Sequence, residues 1–179
     1  MRKFFAFILI FIIFRISFSL ELKNFYELMP EIKDWKASDP VGGRINIDNI
    51  YTLKVEREYN SEGKKFKIII LSGEGIEALW KPFLIEVSYK NDNEWRKVRK
   101  INKFKLGIYY NKKGKKGELL ILYEDKKELI GLLMMEFDNI SSDAAIKILK
   151  KFNWKAIKEL LLEDRKESLK NIKSNSKKE

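Results

Sequence analysis

Two stretches late in the chain, Leu119-Leu120-Ile121-Leu122 and Leu129 to Met135, carry no polar side chain. A strand with one wet face alternates apolar and polar residues. One that is apolar on both faces has to be covered on both sides. These stretches therefore predict central strands of a sheet packed from above and below, with Leu120, Leu122, Leu132 and Met134 in the core. An isolated hairpin cannot satisfy them.

The rest of the chain supplies partners. Leu22, Phe25, Tyr26 and Met29 mark one face of a short helix that Pro30 ends. Residues 30–43 hold Pro30, Pro40, Gly42 and Gly43 and read as an extended surface segment pinned by Ile32 and Trp35. Tyr51, Leu53 and Val55 alternate with charged residues toward Tyr59, then Asn60-Ser61-Glu62-Gly63 turns the chain into Phe66 to Leu71. Ile76, Leu79, Trp80, Phe83, Leu84 and Val87 form a helical stripe over 75–88, with Pro82 either kinking the helix or lying in its first turn. Trp95 to Ile101 alternates with basic residues as an edge strand would, Phe104 to Tyr110 follows, and Lys-rich residues 111–117 form a hairpin loop. Ser142 and Asn153 are placed to cap two helices, with Phe152 and Ile157 as a hydrophobic staple across the second start. From Asp164 the chain is charged and lacks an apolar stripe, so residues 164–179 read as a disordered tail. The sum is one α+β domain over residues 20–163: an antiparallel sheet of five to six strands covered by helices in a two- or three-layer sandwich.

Ahead of that domain, Arg2 and Lys3 precede an apolar run from Phe4 to Phe14, and Ser17-Phe18-Ser19 offers small residues for a cut after Ser19. This is the layout of a secretory signal peptide, and the run is short for a membrane span. Arg15 leaves a second reading open, an uncleaved anchor over Phe4 to Leu20. With cleavage the protein is periplasmic or extracellular; with the anchor it is held on the inner membrane. No Cys stands near the cut, which excludes a lipid-anchored form.

Composition removes whole classes of chemistry. With no His and no Cys there is no Ser-His-Asp triad, no Cys-His dyad, no disulfide and no zinc site built on those ligands. Enrichment in Lys and Glu with no Gln fits a thermophile, while twelve Asn fit an AT-rich genome equally well. The net charge of +11 is concentrated late: residues 147–179 hold eleven Lys/Arg against five Asp/Glu. That places basic charge on the last helix and tail, where it can meet an anionic membrane surface. Nucleic acid is disfavoured, since no aromatic follows Trp154 to interleave with the lysines.

The linear order of several segments resembles a group of uncharacterised secreted bacterial proteins. The matching pieces are Leu28-Met29-Pro30-Glu31-Ile32-Lys33-Asp34-Trp35, Glu58-Tyr59, Lys81-Pro82-Phe83, Leu106-Gly107, Gly117-Glu118-Leu119-Leu120-Ile121, and Phe152-Asn153-Trp154 with Leu160. Asn153 stands where the pattern commonly has an acidic residue; either caps a helix. The resemblance implies a PsbP-like α/β/α sandwich, which serves mainly as an extracytoplasmic accessory or binding module without a shared catalytic motif.

Candidate functional residues are few. Lys112, Lys113, Lys115 and Lys116 can contact phosphate or an anionic surface, or simply solvate a hairpin tip. Ser72-Gly73-Glu74-Gly75 precedes a helix but lacks the lysine of a phosphate loop and reads as a turn. Trp95, on the edge strand, marks a possible ligand surface. No cofactor or metal site is expected. Catalysis would have to run on carboxylates, with Glu56, Glu58, Glu86, Glu118 and Glu136 available and nothing in the sequence to pair them; Glu136, after an apolar run, is expected in a salt bridge. The expected function is a non-enzymatic accessory or binding protein of the cell envelope, acting on an unknown envelope protein or ligand. The alternatives are a carboxylate-based hydrolase, which a carboxylate pair in a concave pocket would favour, and attachment to anionic lipid through the basic end.

Overall fold

Residues 22–27 form a first helix (α1), and the chain then enters β1 (Lys36–Ala37), β2 (Val41–Ile47), β3 (Ile50–Ser61) and β4 (Lys64–Gly73). Helix α2 (Glu77–Leu84) precedes β5 (Glu94–Ile101), β6 (Phe104–Asn111), β7 (Lys116–Asp125) and β8 (Glu128–Asp138), and α3 (Ser142–Leu149) and α4 (Trp154–Asn175) close the fold. This computed structural model describes residues 22–47, 50–84, 91–125 and 128–175. The expected leader and the expected cut after Ser19, with Glu86 and Val87, lie outside them.

All eight strands join one antiparallel sheet in the order β1-β3-β4-β8-β7-β6-β5, with β2 also paired to β3. The two doubly apolar stretches are β7 and β8, at the middle of that order. Their alternate residues divide between two cores. Leu119, Ile121, Leu133 and Met135 face a larger core with α1, α3 and α4; Leu120, Leu122, Leu132 and Met134 face a smaller one under α2. Leu120 and Leu122 are 2% and 7% exposed, as their pattern predicts. Beside the bulge at Tyr123/Glu124, Tyr123 pairs with Gly131 and Glu124 with Leu129, so Ile130 is the extra residue, and it is buried in the larger core.

The sheet is larger than the five to six strands expected. The additional strands are β1, inside the segment 30–43 read as an extended surface segment, and β2, which begins in that segment and runs on to Ile47. Gly42 and Gly43 interrupt the alternation that marks a strand, and β2 needs only one partner, β3, because it is an edge. The β3–β4 hairpin is also tighter than expected. Ser61 still pairs with Lys64, leaving Glu62 (φ 45°) and Gly63 (φ 75°) as a two-residue turn with both centres left-handed. Asn102 and Lys103 turn β5 into β6 in the same way. β5 is the far edge of the sheet, as its basic alternation predicts.

Helix α2 starts at Glu77, two residues after the expected 75, and keeps Pro82 beyond its first turn; residues 85–88 of the expected span lie outside the described residues. Ile76, Trp80 and Phe83 are buried, while Leu79 and Leu84 are 40% and 65% exposed, because a flat sheet meets only a narrow arc of a helix. The cap of α3 is Ser141, one residue before the expected Ser142; its side chain accepts from the Ala144 N–H. Asn153 caps α4 as expected, its Oδ1 accepting from the Ala156 N–H at 3.1 Å, and Phe152 and Ile157 are both buried. A β-carbon on Gly131 would stand 2.7 Å from Leu161 Cδ1, so the glycine lets α4 lie close against β8.

The charged stretch from Asp164 continues as helix through Asn175. Asp164 and Ser168 are 5% and 6% exposed, and Asp164 is ion-paired with Arg44 of β2. An ion pair to a distant strand holds down a turn that has no apolar stripe of its own. No helix of the described residues is long and apolar enough to cross a membrane.

Candidate functional site

Helix α2 covers only part of its face of the sheet. The apolar part reads across the strands as Ile69, Met134, Leu120 and Gly107, each opposite the next. One step along the strands the chemistry changes. Glu58 lies opposite Lys67, Lys67 opposite Glu136, Glu136 opposite Glu118, Glu118 opposite Tyr109, and Tyr109 opposite Arg96. Directly opposed residues share a face. The result is a continuous row of six polar side chains across six strands. A second row beyond it carries Asn60, Lys65, Asp138, Lys116, Asn111 and Glu94.

These rows line an open concavity of ≈ 370 Å³ that includes Glu58, Lys67, Tyr109, Glu118, Glu136 and Asp138. Most of its charges neutralise one another. Lys67 Nζ lies 3.1 Å from Glu58, and Lys116 and Lys65 approach Asp138 at 3.3 and 3.7 Å. The hydrogen bond that the Lys67 ammonium donates to Glu58 raises its pKa above the ordinary value.

Glu118 and Glu136 break that balance. They stand opposite each other, where β-carbons are about 5 Å apart. Burial raises the Glu118 carboxyl above its usual range, the neighbouring Glu136 charge adds to the rise, and Arg96 offsets part of it. Arg96 in turn lies over the rings of Phe83 and Tyr109, at 5.5 and 5.6 Å, and so links α2 to the charged row. Burial and a hydrogen bond to Glu94 raise the Tyr109 phenol. Chemically the patch can hold a hydroxyl-rich or cationic group on two adjacent carboxylates beside an aromatic ring. Among the described residues no group of His, Cys, Asp or Glu could hold a metal ion.

Glu136 was expected in a salt bridge. The register gives it Lys67 opposite on β4 and a like charge, Glu118, opposite on β7, and the Lys67 ammonium lies 3.1 Å from Glu58. Glu56 is paired with Lys54 at 2.8 Å. The sequence names both members of the carboxylate pair but cannot join them, since 18 residues and a register separate them.

The other sequence candidates lie elsewhere. Trp95 points to the opposite face from Arg96, at the margin of the larger core, 6.0 Å from Tyr110 and with Lys97 Nζ 4.5 Å above its ring. Lys112 Nζ donates to the Asp92 carbonyl at 3.2 Å, Lys113 is exposed at the hairpin tip, and the Lys115 carbonyl accepts from Ile140. Only Lys116 reaches the concavity. The N–H of Glu74 in the glycine-containing turn donates to the Tyr51 carbonyl at 3.0 Å, and the Ser72 hydroxyl to that of Ile130 at 2.7 Å. Both groups are committed to the fold.

No family model, no curated protein and no solved structure matches the chain.

Proposed function

We propose that the chain is a non-enzymatic accessory or binding protein of the bacterial cell envelope, with the charged half of the α2 face as its ligand surface. The observation that carries this reading is the directly opposed pair Glu118–Glu136 within the row from Glu58 to Arg96. Like charges set opposite one another cost stability. A ligand that neutralises them offsets that cost. The layering of helices on both faces of an antiparallel sheet supports a PsbP-like sandwich, and the layout of residues 1–19 supports export.

The geometry weighs against hydrolysis. Glycoside cleavage needs two carboxyls flanking the bond from the two walls of a cleft, whereas Glu118 and Glu136 rise side by side from neighbouring strands of one sheet. One observation favours the enzyme all the same: a carboxyl raised by burial beside a second carboxylate is how an acid–base pair is divided. The two readings separate on a panel of aryl glycosides. Turnover lost in both Glu118→Gln and Glu136→Gln replaces the binding reading.

The test of the main reading is fractionation of the host producing the full chain with a C-terminal tag, followed by native gels. Recovery outside the cytoplasm without residues 1–19, in a complex that Glu118→Gln/Glu136→Gln no longer enters, is the expected result. Full-length chain in the soluble cytosol overturns it.

A further inference from the structure

We infer that β2 is the pairing edge of a symmetric dimer, and that its occupant is β2 of a second copy of this chain. The two edges of the sheet differ in charge. β5 carries Arg96, Lys97, Arg99 and Lys100, so pairing it with itself would set like charges together. The β2 edge reads Val-Gly-Gly-Arg-Ile-Asn-Ile, and its single charge, Arg44, is ion-paired inward with Asp164. Among the described residues nothing pairs with the outer side of β2. Val41, Ile45 and the adjoining Ile50 are 57%, 56% and 49% exposed. Such an edge lacks the lysines, prolines and bulges that keep other strands away.

The pattern fits itself. Val41 and Ile45 oppose Glu56 and Thr52 of β3 and so share one face, with Gly43 between them opposite Lys54. Antiparallel pairing about a twofold axis through Gly43 sets Val41 of each copy against Ile45 of the other, Gly43 against Gly43, and Gly42 against Arg44. The two exposed branched residues then cover each other on one face. On the other, Gly42 presents no side chain to the Arg44 that holds α4. Pro40, which has no N–H to donate, bounds the pairing at one end. An acidic or basic partner strand would find no complementary charge on this edge, whereas an identical copy needs none.

Gly43 also supplies the test. A β-carbon there meets nothing within 4 Å in the single chain, and Gly43 is not among the glycines of positive φ. A charged side chain at 43 therefore leaves the fold intact and places like charges on the dimer axis. Sedimentation equilibrium of the full chain up to about 1 mM is expected to show a concentration-dependent monomer–dimer equilibrium. Gly43→Lys and Gly43→Glu are each expected to be monomeric with unchanged circular dichroism, and their equimolar mixture to regain the dimer. A wild-type chain that stays monomeric overturns the inference. So does an oligomer that persists in Gly43→Lys, which would place self-association elsewhere, residues 1–21 included. Ile45→Lys is a second monomerising variant, and loss of the dimer in it without rescue by the Gly43 charge pair would refute the register through Gly43.

Discussion

Phe83 lies over Gly107: a β-carbon at position 107 would come within 2.7 Å of the Phe83 ring. Helix α2 is seated on the sheet by this contact and by Trp80, which stands 5.4 Å from Phe83 between ring centroids. Gly107→Ala should cost about 1–3 kcal/mol in urea unfolding, the range for overpacking a filled core. The same change in a Phe83→Leu background should cost less. Equal costs in the two backgrounds would mean that the ring does not set the spacing.

Glu118 has a pH signature. Its carboxyl is raised in the folded state, so the folded chain binds more protons than the unfolded one across that range. Stability contributed by this group is therefore present at low pH and lost as pH rises. Glu118→Gln should stabilise the protein by about 0.2–1 kcal/mol near neutral pH, the range for like charges directly opposed. The gain should shrink as pH falls below the carboxylate range. Thermal melts of both proteins across that range decide it; a gain that grows toward acid contradicts the assignment.

The Arg44–Asp164 pair is predicted to hold the last half of α4. Its side chains are 11% and 4% exposed. Asp164→Ala takes the carboxylate from a buried guanidinium, a change that costs about 3–5 kcal/mol. Far-ultraviolet circular dichroism should lose helix at the same time. The double change Arg44→Met/Asp164→Leu should recover most of the loss, since an apolar pair of similar volume needs no desolvation.

Tyr59 should titrate late. Its ring stacks on Phe66 at 4.4 Å and its hydroxyl donates to the Pro30 carbonyl at 3.0 Å. Burial pushes the phenol up to about 12, against a smaller opposing effect of Arg57. The folded state thus keeps a proton that the unfolded state releases, and stability should fall as pH rises from about 10. Tyr59→Phe should lose about 1 kcal/mol at neutral pH and show a shallower alkaline decline. Phenolate absorbance that titrates at the ordinary pH in folded protein would contradict this.

Much of this architecture is written in local pattern. The doubly apolar runs of β7 and β8 announce a sheet covered on both sides, the basic alternation from Trp95 announces an edge, and Asn153 with Phe152 and Ile157 announces a helix start. Each signal lies within a few residues of itself. The missed pieces have their cause far away in the chain. β2 is a strand because β3 offers it hydrogen bonds, despite its two glycines. α4 continues beyond Leu162 with a buried Asp164 because Arg44, 120 residues earlier, supplies a partner.

The candidate surface divides the same way. The residue types at Glu58, Lys67, Tyr109, Glu118 and Glu136 are in the sequence, and so is their alternation with apolar neighbours, which sets them on one face of their strands. Side-chain alternation is a property of a single strand, so composition and period determined which residues are wet, which are buried and which chemistries are missing. Only the folded sheet decided that Glu136 stands between Lys67 of β4 and a like charge, Glu118 of β7. Register is chosen by the summed backbone hydrogen bonds and core packing of several strands at once, and no single segment carries that sum.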